Sequence, residues 1–362
     1  MIDRNIQYSD VFVSKGKCHY RIPVIALEGE GKLFAFANCR MDTVADSARE
    51  VALVVRCSDS FEKNWSSTEN LFAQDGWRAA MGTVTLDSDS GQILLSYYRK
   101  DNNQPGNSLQ QESAIEAGAF QWVYRNGGKI RQHDRLRVKA NHTGHVGSNH
   151  GSSAGVTLQS GRHKGRLLSP ARFQTQPGEA LDTLQNHHCN CALYSDDHGR
   201  TWQTSEPVQV GTGEGCLVEL SDGRIYYNSR AYFLDGKRRI AWSYDGGETF
   251  TDFGIDDELT EPVQGGCNAG MALYPPELSD GRDIILFSNP AGEKRERMTV
   301  RVSLDGGQTW PVSRLINEGP SAYSSLGVGK YGTIYILYEN GEKHPYEKIS
   351  LARFNLEWLM GK

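Results

Sequence analysis

The sequence predicts an all-β chain built as a six-bladed β-propeller. Three observations carry that prediction: the glycine and aromatic content, a turn-and-strand repeat, and a second turn motif at matching spacing. The 362 residues hold 39 glycines, 16 tyrosines, 12 phenylalanines and 7 tryptophans. Glycine in that quantity supplies tight turns, and aromatics favour strands. Long helical periodicity is lacking. This rules out a helical bundle and argues against a doubly wound α/β fold.

The repeat is a glycine followed by an apolar, aromatic-rich strand. It reads Gly31-KLFAF, Gly91-QILLSYY, Gly165-RLLSPAR, Gly223-RIYYNSR, Gly281-RDIILFS and Gly332-TIYILYE. The copies are 60, 74, 58, 58 and 51 residues apart. Each opens on the residue that a turn with φ > 0 requires. The strands are apolar almost throughout rather than alternating, so both faces are expected to be buried. Sixty residues is too long for a hairpin and suits a four-stranded sheet with its loops. Six such sheets arranged radially make a propeller. Residues 1–362 are then a single domain.

The second motif is Ser-x-Asp-x-Gly-x-Thr-aromatic. It occurs as Ser195 to Trp202, Ser243 to Phe250 and Ser303 to Trp310, with spacings of 48 and 60 residues. Ser58 to Trp65 is a degraded copy that keeps the Ser and the Trp. The Asp side chain bonds its own backbone in the turn, Gly takes the left-handed conformation, and the aromatic packs between sheets. These Asp residues are read as structural, because hairpin turns lie away from a propeller's channel.

Charge excludes some classes. Lys+Arg is 39 against Asp+Glu 44, a formal net charge of −5, which argues against a generic nucleic-acid binder. No apolar run approaches ~18 residues, so no membrane insertion is expected. The first residues show no basic region followed by an apolar stretch, so a cytoplasmic location is expected, or a secreted or periplasmic one if a signal has been removed. Seven cysteines cannot pair fully, and a chain this long needs no staples. They are read as mostly free thiols in a reducing compartment. Cys189 and Cys191, after His187 and His188, lack the second pair of ligands that a structural zinc site needs, and are read as buried side chains. Asn141-His142-Thr143 is a formal glycosylation sequon. Residues 139–153 are expected to form a loop over the channel mouth.

The ends of the six repeat strands point to function. Four finish in arginine, at Arg40, Arg99, Arg172 and Arg230, and one in Glu339. Equivalent strand ends in a propeller converge on one mouth. Guanidinium groups gathered there would bind an anion, and their planar fork suits a carboxylate.

Tyr20-Arg21-Ile22-Pro23, followed by the Ser-x-Asp-x-Gly-x-Thr turns at blade spacing, resembles the exo-α-sialidases (neuraminidases) of bacterial and animal type. The resemblance implies a six-bladed propeller that hydrolyses terminal sialic acid from sialylated glycans with retention; the alternatives are a trans-sialidase or intramolecular trans-sialidase, and a propeller that binds sialic acid without catalysis. It implies Arg21 as the first of three carboxylate-binding arginines. The stretch Glu214 to Arg230 resembles the family segment with a glutamate and, sixteen residues on, the second arginine. In Arg-x-x-Met-Thr, Arg295 fits the third, with Arg297 as the alternative. Gly319-PSAYSSL resembles the segment of the nucleophilic tyrosine, giving Tyr323, and Leu337-Tyr338-Glu339 that of the glutamate bracing Arg21. Arg40-MDTVADS resembles the loop with the acid/base aspartate. Arg40 is counted as substrate-binding, and Asp46 is the acid/base candidate with Asp42 as competitor. Three features depart from the family: Cys39 before Arg40, the degraded first turn, and the lack of Asn-Pro at Met81-GTVTLD.

The chemistry explains this set. A sialoside carries a carboxylate on its anomeric carbon. That charge discourages a carboxylate nucleophile, and sialidases use tyrosine. A neutral tyrosine, with an ordinary pKa near ~10, needs a base, and Glu214 fits. Asp46 would protonate the leaving oxygen, so its pKa is expected to be raised by partial burial. No metal or cofactor is required.

Overall fold

The computed structural model describes residues 6–29, 31–58, 64–102, 119–124, 134–148, 153–174 and 188–361. The chain is all-β. Among the described residues the helical pieces are short, Gly161–His163, Pro276–Leu278 and Leu356–Leu359. None is long and apolar enough to cross a membrane.

Every copy of the glycine-led repeat forms a strand: Lys32–Met41, Gln92–Asp101, Leu167–Gln174, Ile225–Ala231, Ile284–Pro290 and Ile334–Asn340. Each is flanked by antiparallel partners on both sides. Their apolar runs follow from this position. Interior strands packed on both faces need no polar alternation, and Ile334–Asn340 is buried at every residue. Antiparallel runs follow the chain order, and in a 14-stranded sheet they are joined by parallel pairings of Trp77–Asp87 with Val51–Ser58 and Ala154–Thr157. Thr212–Glu219, Ile225–Ala231, Lys237–Ser243 and Thr251–Thr260 form one antiparallel meander in simple order. The long strand Val312–Val328 pairs with Glu296–Ser303 through its first half and with Ile334–Asn340 through its second. Gln7–Val13 joins Lys348–Phe354, so strands from the two ends of the chain share one sheet.

The core lies between neighbouring sheets rather than in one centre. Trp310 packs with Tyr226 and Cys216 of one meander and with Ile285 and Phe287 of the next. Phe250 sits edge-on to Tyr227, their ring centroids 5.3 Å apart, in a cluster that includes Leu168 and Ala192 of the preceding sheet. The aromatics of two Ser-x-Asp-x-Gly-x-Thr turns, Phe250 and Trp310, thus pack between sheets, as the sequence predicted, and Trp202 is buried with Leu94 and Leu167.

The turns themselves close as expected. Asp245 Oδ1 accepts from the backbone N–H of Glu248 and Thr249, both at 3.0 Å, and Oδ2 accepts from the Thr249 hydroxyl at 2.6 Å. Asp305 and Asp197 make the same Thr bonds, to Thr309 and Thr201. In each carboxyl burial pushes the pKa up, but the hydrogen bonds outweigh it, and the net direction is below the ordinary aspartate value. A depressed folded-state pKa gives stability that is present above the unfolded value, near ~3.9, and is lost as pH falls through the folded one. Urea midpoints are therefore expected to drop on acidification below that range. Asp245→Asn should flatten part of the drop. An acid limb identical in wild type and Asp245→Asn would rule out this turn as a contributor. Residues 59–63 of the degraded copy lie outside the described residues.

The reading of mostly free thiols holds for five of the seven cysteines, with one pair as the exception. Cys18 and Cys39 are joined in a disulfide, with Cα atoms 5.5 Å apart on adjacent strands. An odd count excludes only complete pairing, so a single disulfide is compatible with it. Cys57, Cys189, Cys191, Cys216 and Cys267 form no disulfide, and Cys189 and Cys191 are fully buried core side chains. The sequon at Asn141 is a turn anchor. Its amide donates to Ser205 O at 3.2 Å, and its Oδ1 accepts from Thr143 and His145. Of the predicted loop over the mouth, residues 149–152 lie outside the described residues.

Candidate active site

Three of the candidate residues sit at β-bulges. A bulge adds one residue to a strand and re-aims the side chains beside it. In Cys18–Glu28 the pairing shifts between Arg21 and Val24, and Ile22 takes φ +64°. In Thr212–Glu219 it shifts between Thr212 and Gly215, on either side of Glu214. In Val312–Val328 it shifts between Ser321 and Ser324, around Tyr323. Glycine is needed at the second bulge, because a Cβ on Gly213 or Gly215 would run into Tyr232 or Tyr227.

These bulges bring together residues far apart in the chain. Tyr323 Oη donates to Glu214 at 2.7 and 2.8 Å. Arg230 Nη1 donates to Glu214 Oε2 at 2.6 Å and to Tyr323 Oη at 2.8 Å, and Nε donates to Gly265 O at 2.6 Å. Arg21 Nε donates to Glu339 Oε1 at 2.7 Å. Glu339 is fully buried and also accepts from the backbone N–H of Ile22 at 2.8 Å and Tyr323 at 3.0 Å. Arg21 and Arg295 lie 5.6 and 5.5 Å from the Tyr323 ring centroid. Arg295 donates to Tyr346 Oη at 3.0 Å and Gly266 O at 3.3 Å. Arg297 sits away from this cluster, paired with Glu318 at the surface. The choice between the two therefore falls on Arg295 as the member of the cluster.

Asp46 approaches from the loop after Lys32–Met41. Its Oδ1 is 2.6 Å from Arg40 Nη2, and its side chain is 87% exposed. The Val44 carbonyl accepts from both Arg40, at 2.6 Å, and Arg21, at 3.1 Å, so the loop is tied to the arginines. Asp42 is an exposed residue with Lys17 3.9 Å away, outside the cluster. The other strand-end arginines do different work. Arg99 packs over the Phe72 and Trp77 rings, and the Arg172 backbone pairs with Ser148.

The electrostatics correct one expectation. The expected partial burial is not found, since the side chain is largely exposed. Crowding by the site desolvates the Asp46 carboxyl and pushes it up, but Arg40 and then Arg21 outweigh that, and its pKa lies below the ordinary value rather than above. Tyr323 is pushed well up, first by burial and then by Glu214, against Arg230 and Arg295. It is therefore neutral and hydrogen-bonded to an acceptor. Four guanidinium groups (Arg21, Arg40, Arg230, Arg295) face three carboxylates (Glu214, Glu339, Asp46), which leaves a net positive site. It can bind one anionic group, and it holds a hydroxyl beside a base.

Sequence reasoning missed the supports. Arg78 donates to the Asp46 carbonyl and holds the acid loop. Arg238 and Glu261, both buried, pair at 2.7 Å. Arg238 also donates to Cys267 O at 2.8 Å, which fixes the 265–267 segment behind Arg230 and Arg295. Tyr346 was unmarked too. Nothing in their local sequence signals these roles, since each depends on a partner in another strand or loop.

Residues 29–336 match the family of BNR repeat-like domains. A sialidase of Micromonospora viridifaciens is 30% identical over 361 residues, covering 96% of this chain and 53% of its own. The chain belongs to the sialidase family. It thus spans about half the length of that relative. Among solved structures, the Hadza microbial sialidase Hz136 superposes with a TM-score of 0.79 at 24% identity, covering 94% of this chain and 66% of its own. A leech intramolecular trans-sialidase gives 0.72 at 16%, covering 98% and 71%. These two speak to the fold alone, which is all-β and propeller-like. A sialidase and an intramolecular trans-sialidase thus share this fold, and the fold does not separate them.

Proposed function

We propose that this sialidase-family chain is a single-domain, six-bladed exo-α-sialidase that releases terminal sialic acid from glycoconjugates with retention. The observation that carries the reading is the Tyr323 hydroxyl held between Glu214 and Arg230, beside Arg21 and Arg295. Arg21, Arg230 and Arg295 would bind the substrate carboxylate through charge-assisted bonds. Tyr323 Oη attacks the anomeric carbon while Glu214 takes its proton. The bond to the aglycone oxygen breaks, and Asp46 protonates that oxygen. Water, deprotonated by Asp46, then attacks the glycosyl-tyrosine, and Glu214 returns the proton to Tyr323. A base adjacent to the tyrosine is needed because the phenol is held neutral.

The test is turnover of a 4-methylumbelliferyl sialoside, with products followed by NMR. Free sialic acid released first as the α-anomer supports the proposal. No release above blank overturns it. An anhydro product or a transfer product would overturn hydrolysis and leave the nucleophile standing.

The pKa direction of Asp46 adds a prediction. A general acid must be protonated, so kcat/KM falls as pH rises through its free-enzyme pKa. Arg40 is the largest of the influences holding that value down. Arg40→Gln is expected to raise it and move the alkaline limb of the kcat/KM profile to higher pH. A limb that stays in place would remove Asp46 from the acid role.

A further inference from the structure

The four guanidinium groups are not held alike. Arg21, Arg40 and Arg230 each pair with a carboxylate, Glu339, Asp46 and Glu214. Among the described residues Arg295 has no carboxylate partner. Its hydrogen bonds go to neutral oxygens, the Tyr346 hydroxyl and the Gly266 carbonyl. An arginine without a counter-charge is free to spend its charge on a ligand. It also has nothing strong to keep it in place, and it stands near Arg21, which bears the same charge.

Tyr346 touches both. The Arg21 guanidinium lies 3.9 Å from its ring centroid, close to ideal for a cation over an aromatic face. Its hydroxyl accepts from Arg295 at 3.0 Å. One side chain thus covers one arginine with its face and anchors the other with its edge. The loop beneath it is well tied. The Tyr346 N–H donates to His344 Nδ1 at 3.2 Å, and its carbonyl accepts from the Ser14 hydroxyl at 3.1 Å. Glu347, next in sequence, accepts from the N–H of Glu342 and Lys343, both at 3.0 Å. Such a loop delivers the ring at a fixed place.

We propose that Tyr346 is a positioning residue that holds Arg21 and Arg295 in the geometry required for a substrate carboxylate. The inference rests on the sialidase reading and names a determinant of its carboxylate affinity. Tyr346 acts through the arginines, and its effect is expected on binding more than on the chemical step. It makes no hydrogen bond to Tyr323, Glu214 or Asp46 among the described residues.

The experiment compares wild type, Tyr346→Phe and Tyr346→Ala, with Tyr331→Phe, an exposed tyrosine elsewhere, as control. Steady-state kinetics on the fluorogenic sialoside are paired with calorimetry of sialic acid and its methyl ester. Phe keeps the ring and removes the hydroxyl. It is expected to raise KM and weaken sialic acid binding roughly three- to tenfold, the range of one hydrogen bond, while kcat changes less. Ala removes the ring as well and should weaken binding further. The ester lacks the charge, so its affinity should move little in either variant, a selectivity that a general loss of folding would not produce. An active wild type with unchanged KM and affinity in Tyr346→Phe overturns the inference alone. So does equal weakening of acid and ester. A wild type that neither binds nor cleaves sialosides overturns the sialidase reading, and the inference with it.

Discussion

Tyr323→Phe is expected to lower kcat on a 4-methylumbelliferyl sialoside by at least about 10³-fold, since loss of a nucleophile removes the intermediate itself. The substitution changes one oxygen. Tyr323 Oη is the only atom of the residue that reaches Glu214 and accepts from Arg230. Its loss leaves Glu214 paired with Arg230 at 2.6 Å, so no carboxylate is stranded. The ring stays between Arg21 and Arg295, and the backbone N–H stays on Glu339. Folding should therefore be nearly unchanged, and calorimetric affinity for sialic acid should hold within a few fold. The split decides the matter. A tyrosine that only packs would cost little in kcat, and a tyrosine that only binds would cost KM. Activity within tenfold of wild type would show that Tyr323 is not the attacking group.

Local physics made much of this legible. A turn that needs left-handed glycine, or a carboxyl that caps its own loop, is encoded within eight residues, so Ser243 to Phe250 could be read without its neighbours. Strand ends were legible in part. Arg230 and Glu339 come to the cluster, while Arg99 lies over Phe72 and Trp77. Periodicity says that a residue ends a strand, and the bulges and neighbouring loops decide where its side chain goes. The bulges at Ile22, Gly213 and Ala322 left no periodic trace, because one extra residue inverts the inward-outward alternation only locally. The Asp46 reading had the wrong sign for a related reason. Partial burial was expected, but the Asp46 side chain is 87% exposed, and its pairing with Arg40 across the loop was not foreseen. Tyr346 has its two partners 325 and 51 residues away, and no local motif announces it.

Glu339→Ala should be strongly destabilising. Glu339 and Arg21 are both buried, and removing one member of a buried pair costs about 3–5 kcal/mol because the other charge is left without compensation. Two backbone donors lose their acceptor as well. One belongs to Ile22, a β-branched residue at φ +64°, a conformation that costs on the order of 1–3 kcal/mol and persists only where its surroundings fix it. The other belongs to Tyr323. Urea unfolding should therefore show a loss of roughly 3–5 kcal/mol, with kcat/KM falling in parallel as Arg21 and the Tyr323 strand lose their common anchor. Stability and function can then be pulled apart. A double variant, Arg21→Met with Glu339→Leu, removes both charges together, and such replacements are often neutral for folding. It should recover most of the lost stability and none of the activity, because the carboxylate-binding arginine is gone. A double variant no more stable than Glu339→Ala would place the cost in the Ile22 and Tyr323 backbone donors instead of the stranded charge. A Glu339→Ala loss below about 1 kcal/mol would mean that neither the ion pair nor these donors hold the site together.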